Sequence, residues 1–356
     1  VFVTLSPHIL LTLLLIPGII PVSIPSTSVY LNALASDETH EYNEPLDHLK
    51  VQIQQYPIPT DQSWPLYPLF DNNRQKIWVG DTVIDSGRIW EFDIATKTYH
   101  EHRLNDTSIV TASLIDSIGA IWYLDPLLKR IGYYDPSSHA PNKVFDIPTN
   151  DTIFGMTIDD GGIIWLTSPN DANIFRFNTS TKSFEPVMHL PFAKSRPLGI
   201  AFDSSTIWVA DESGGIIRIP SDNTDTLYRY SPTHLREELL SSPTDILPSP
   251  SLNNIFVSNH NDKSVTSFNL TDNKFRNYEL ATLGLPFGMA LDKLGNIWVA
   301  QHTSNQSFVL NPTSGQSRQF VIPHPNPYAQ WISADSNGDI WLGEQLAGSL
   351  GKIVIK

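Results

Sequence analysis

The stretch PFGMALDKLGNIWVA, residues Pro286 to Ala300, decides how this chain folds. It reads as an apolar strand, a turn carrying Gly295 and Asn296, and a second strand centred on Ile297 and Trp298. Apolar strand residues flanking a Gly/Asn turn are the pattern of a hairpin. The same unit recurs along the chain. Its anchors are Trp78, Trp122, Trp165, Trp208, Phe256, Trp298 and Trp341, spaced 44, 43, 43, 48, 42 and 43 residues apart. Six of the nine tryptophans thus occupy one position, which marks a structural repeat.

Each anchor is followed by a third strand, such as Asn173 to Phe177, and a turn rich in Asn, Asp, Thr and Ser. A fourth strand then ends near proline, as in Phe320 to Pro323. Seven such units predict an all-β, seven-bladed β-propeller of four-stranded antiparallel blades. One blade cannot bury both its faces, so the anchors are expected to fill the spaces between blades. Only His234 to Leu240, in the longest interval, has a helical cast. Gly351 to Lys356 reads as a third strand with no fourth after it, and Val51 to Pro59 as a fourth strand with no blade before it. Pairing these two closes the ring and removes its open edges. The propeller is therefore expected over residues 50–356, behind a polar, flexible lead-in at 36–49.

The first 36 residues carry no Asp, Glu, Lys or Arg, and an Ala33-Leu34-Ala35 site precedes the acidic Asp37 and Glu38. Residues 1–35 read as a secretory signal peptide cleaved after Ala35, or as an uncleaved membrane anchor interrupted by Pro17, Pro21 and Pro25. Either way the protein is expected to be secreted or at the cell surface, touching membrane only through that segment. Of five Asn-x-Ser/Thr sequons, at Asn105, Asn150, Asn178, Asn269 and Asn305, two (Asn178 and Asn269) coincide with the repeat's own Asx-turn, and glycosylation is open to an exported chain. The formal charge of −14 argues against nucleic-acid partners, and the absence of cysteine excludes disulfides and thiolate chemistry.

Propeller function gathers at a channel mouth, where rigid blades hold residues in fixed positions. Counting back from the anchors puts Tyr67, Thr111, Phe154, Leu198, Thr244, Phe287 and Gln330 there, with blades four and five differing by one residue in hairpin length. Counting three forward gives Asp81, Asp125, Ser168, Asp211, Asn259, Gln301 and Glu344. Asp81, Asp125, Asp211 and Glu344 have two readings. Each is a turn residue capping backbone donors, or the four together hold Ca²⁺, Mg²⁺ or a cationic ligand group. His260 and His302, one residue further on, are either exposed loop residues or a displaced acid/base pair.

The repeat P-x-G-[IM]-[AT]-x-D-x-x-G-x-[IL]-W, clearest from Pro286 to Trp298 and Pro197 to Trp208, resembles the virginiamycin B lyase (streptogramin lyase) family over about residues 50–356. That resemblance implies opening of a macrocyclic ester by Mg²⁺-dependent elimination. It places a catalytic tyrosine at Tyr67 and a glutamate at Glu344. It also implies histidines at the start of the first strand in the last two blades, where this chain has Phe287 and Gln330. Tyr328 stands where the family has a further glutamate. Phenylalanine accepts no proton and glutamine is no base near neutrality, so the lyase mechanism does not transfer. Two functions remain. One is an extracellular binding or interaction module whose mouth, including Asn259 and Gln301, holds a small molecule, a peptide or a cell-surface protein. The alternative is a divergent divalent-metal-dependent C–O lyase or lactone/ester hydrolase.

Overall fold

Each repeat forms one antiparallel sheet, and the seven sheets follow one another in sequence order around a central channel. The computed structural model describes residues 46–60, 62–138, 140–232, 240–280 and 284–356. The segment expected to be a signal peptide or anchor lies outside these residues, as does all but Leu240 of the stretch His234 to Leu240 expected to have a helical cast. Among the described residues no helix is long and apolar enough to cross a membrane.

Blade six shows the pattern: Pro286–Leu291 lines the channel, and Ile297–Gln301, Gln306–Leu310 and Ser317–Val321 follow outward. Blade three departs from it, its fourth strand being split into Ser183–Phe184 and Met188–His189 around Pro186. Proline has no N–H for a ladder, which accounts for the break.

The ring closes as the sequence predicts. Val51–Pro57 pairs antiparallel with Ser349–Ile355, from Val51 opposite Ile355 to Pro57 opposite Ser349. This gives blade seven its fourth strand. The lead-in is docked at its end, not loose: Leu46 and Leu49 are buried against blades six and seven, and Arg318 donates to both of their carbonyls. Two apolar residues spaced three apart explain why these last residues leave solvent.

Seven apolar clusters hold the blades together, one at each interface. Between blades six and seven, Trp298 and Val309 meet Ile340, Leu342 and Ile353; between seven and one, Trp341 and Leu350 meet Ile77, Val79 and Phe92. The anchors do fill these spaces. The aspartate of the repeat motif explains their orientation. The indole N–H of Trp122, Trp165, Trp298 and Trp341 donates to Asp116, Asp159, Asp292 and Asp335 respectively, at 2.8–3.0 Å. Each of these carboxylates also accepts backbone N–H groups of its own hairpin, so one side chain ties the turn to the core.

Candidate functional site

The channel encloses about 790 Å³, in the range of small-molecule sites. Strand geometry decides which residues reach it. Only the innermost strand of each blade borders the channel. A second-strand residue lies one strand spacing back, and its side chain projects over a blade face toward the neighbouring blade.

This corrects the ring expected from the second strands. Asp81, Asp125, Ser168, Asp211, Asn259, Gln301 and Glu344 are all buried, and none lines the channel. Asp81 accepts from Ser63, Trp64, Arg88 and Trp90; Asp125 from the N–H groups of Ser108, Leu127 and Leu128; Asp211 from Ser195, Arg196 and Ser213, with Arg229 at 3.1 Å. They cap loops and pair within their own blades. Asn259 bonds Ser264 and Thr266, also within its blade. Among the described residues no three His, Asp or Glu side chains gather as a metal site, so these four carboxylates do not fit Ca²⁺ or Mg²⁺.

Glu344 lies in the same outward direction. It accepts from Gln55 of the closing strand at 2.6 Å, and burial pushes its pKa up to about 7 against that donation. The folded state therefore holds a proton that the unfolded chain releases near 4.5, and stability falls as pH rises between about 4.5 and 7. We expect Glu344→Gln to stabilise the protein at pH 8 by about 2 kcal/mol and to change little below pH 4.5. Denaturant unfolding at the two pH values measures this; equal effects at both would show that ionisation is not involved.

The first-strand ring needs a shift of one residue in blade one. In the observed register Trp78 pairs with Leu69, Phe256 with Leu247, Trp298 with Ala290 and Trp341 with Ser333. Blade one's hairpin is thus one residue longer than blade six's. Leu66, not Tyr67, is in register with Phe154, Phe287 and Gln330. Tyr67 falls in register with Gly155, Gly199, Asp245, Gly288 and Trp331.

That second position explains the channel. Where it is glycine the next blade's backbone passes close: a Cβ on Gly199 would lie 2.6 Å from the Thr244 carbonyl oxygen, and one on Gly155 2.6 Å from that of Leu198. Blade two carries Ala112 there, and blades one, five and seven carry Tyr67, Asp245 and Trp331; all four line the cavity. Of the expected mouth residues, Tyr67, Thr111, Phe154 and Gln330 are also on its wall. Phe287 is buried behind them and packs on Trp331 at 5.1 Å. Phe154 reaches across the axis to Phe287 and Trp331, both at 6.3 Å, and Tyr67 meets Trp331 at 5.7 Å. Tyr67, Phe154 and Trp331 are half-buried.

Asp245 is half-buried on this wall. One carboxyl oxygen accepts the Met289 N–H of blade six at 2.8 Å, and burial raises its pKa to about 7. Tyr67 beside it is pushed up to about 12, first by burial and then by the Asp245 charge. Sequence counting missed Asp245 and Trp331. The available signal was their replacement of the repeat's own glycine.

His260 and His302 are buried, not exposed loop residues. Their Nε2 atoms lie 3.4 Å apart, and both rings pack on Phe287. Burial and the neighbouring His260 lower the His302 pKa to about 3. A neutral imidazole with that pKa is a poor proton acceptor near neutrality, so His302 does not restore the missing base.

The sequence matches no protein-family model, and no curated protein matches it. Among solved structures the chain is similar to a streptogramin B lyase, at a TM-score of 0.74 and 18% identity over 86% of this chain and 98% of that one. Virginiamycin B lyase from Staphylococcus aureus superposes equally well, at 0.74 and 17% identity over 86% and 99%. The WD40 repeats of RRP9 follow at 0.66 and 12% identity, over 86% and 100%. At these identities the likeness is one of fold: this chain has the seven-bladed architecture of the virginiamycin B lyases.

Proposed function

We propose that this protein is an exported binding module, not a lyase, and that it holds a small ligand against the channel wall formed by Tyr67, Phe154, Trp331 and Asp245. One observation carries the reading. The repeat's first strand has glycine at this position in three blades; in the other four it is replaced by Tyr67, Ala112, Asp245 and Trp331, and all four face one cavity. Two of them add aromatic rings, which give large contact area at small entropic cost. The positions where the lyase resemblance calls for histidines hold Phe287, packed behind the wall, and Gln330, which ionises at no pH of interest.

The neutral dye N-phenyl-1-naphthylamine, which brightens in apolar sites, tests this. Saturable one-site binding is expected, weakened about tenfold or more by Trp331→Ala. Trp331→Ala also loses ring contacts with Phe287 and Tyr67, so its melting temperature is expected to fall, and a cooperative melt above the assay temperature separates lost binding from lost folding. Absence of saturable binding by the unaltered chain would count against the module. Mg²⁺-dependent opening of a streptogramin B or a simple lactone by the unaltered chain would replace it with the enzyme alternative.

A further inference from the structure

We propose that the channel site selects an organic cation, an alkylated ammonium head group, held between the ring faces of Tyr67, Phe154 and Trp331 and the carboxylate of Asp245. The inference rests on the binding role above and names its ligand class.

Some buried acids of this chain carry their own cation, while Asp125 and Glu344 accept only from neutral donors. Asp81 has Arg88 at 2.8 Å, Asp211 has Arg229 at 3.1 Å, and Asp335 and Asp339 share Lys352 at 3.0 and 2.9 Å. Asp245 is half-buried on the cavity wall, where a ligand can reach it, and among the described residues no lysine, arginine or histidine forms an ion pair with it. Its protein partners are backbone N–H groups and the neutral Ser258 hydroxyl, which accepts from its own N–H. A partly desolvated carboxylate without a counter-charge favours taking up a proton or a cation from outside.

The rings show the same contrast. Elsewhere the protein covers aromatic faces with its own cations: Arg88 over Trp90, Arg276 over Tyr278, Arg318 over Phe320 and Lys352 over Trp341, at 4.6–5.2 Å. Among the described residues no such cation lies over Tyr67, Phe154 or Trp331. Lys129, which also reaches the cavity, donates to the Asn150 carbonyl at 2.6 Å. Ring faces attract cations through their quadrupole, and do so more strongly where water is excluded. An alkylated head group suits this wall better than a bare ammonium, because three N–H donors need three acceptors and the wall offers ring faces instead. The net charge of −14 draws any cation toward the protein.

The test compares choline with its neutral isostere 3,3-dimethyl-1-butanol by titration calorimetry on the unaltered chain, and repeats choline with Asp245→Asn. Choline is expected to bind at one site, at least about tenfold tighter than the isostere, and Asp245→Asn to weaken it by about tenfold or more. The comparison of probes needs no variant, so it stands even where the variant fails to fold. Equal binding of the two probes, or undiminished choline binding by a folded Asn variant, overturns the proposal. So does the absence of choline binding while N-phenyl-1-naphthylamine still binds; that result leaves the binding module in place with a different ligand class. Loss of all three probes overturns both.

Discussion

Deleting residues 50–59 is expected to leave a chain that gives no cooperative unfolding transition and no stable monomer. The deleted segment serves two interfaces at once. As blade seven's fourth strand it pairs over seven residues with Ser349–Ile355. At the junction with blade one, Tyr56 packs on Phe92 at 4.8 Å and Trp341 at 5.9 Å, while Ile58 is buried in the same cluster. Tyr99 of blade one donates its hydroxyl to the Tyr56 carbonyl. Burying side chains such as Ile53, Tyr56 and Ile58 contributes about 1.5–3 kcal/mol each. Their loss approaches the about 5–15 kcal/mol by which a domain is stable. It also bares the edge of Ser349–Ile355 to other chains. Removing residues 1–45, by contrast, touches none of these contacts. Circular dichroism melts and size-exclusion chromatography of the two deletions decide the matter; a monomer with a native-like melt from the 50–59 deletion would refute closure as a requirement.

The second large effect is expected at Trp341. This side chain has no exposure, donates to Asp335 at 3.0 Å, and lies under Lys352 with its ammonium 4.9 Å from the ring. Trp341→Ala should cost about 3–5 kcal/mol through the cavity it opens. Trp341→Phe keeps most of the ring and forfeits the hydrogen bond. Asp335 then retains Lys352 and the N–H groups of Asn337 and Asp339, so the expected cost is about 1 kcal/mol. Denaturant unfolding with an unchanged slope measures both. A cost for alanine no larger than for phenylalanine would mean the anchor is not a packing residue.

The fold was legible because seven copies of one unit correct one another: a poor match in one blade, such as Phe256 for tryptophan, is overruled by six good ones. The closing strand was legible from an excess strand at each end of the repeat array. The site was only half legible. Counting from an anchor assumes equal hairpins, and one extra residue in blade one's turn displaced Tyr67 from its register partners. Counting also carries no depth. Asp81 and Glu344 sit at the channel end of their strands in sequence, yet their side chains turn outward over the blade faces. Whether an acid caps a loop or lines a channel depends on which strand of the blade bears it, and residue spacing does not report that. His260 and His302 misled in the opposite direction: polar residues beside turns read as solvent-facing, but aromatic neighbours from the next blade cover them.

The closing pair also constrains how the protein is made. Val51 leaves the ribosome some three hundred residues before Ile355, its partner. During synthesis the first-made strand must wait, unpaired, while blades one to six take shape. Contacts of such long sequence separation form slowly, because a large loop must be ordered before they reward it. The ring therefore closes only once blade seven has been made, and until then blade seven offers an open edge. The interval between synthesis of blade seven and closure is thus the period of greatest exposure to aggregation.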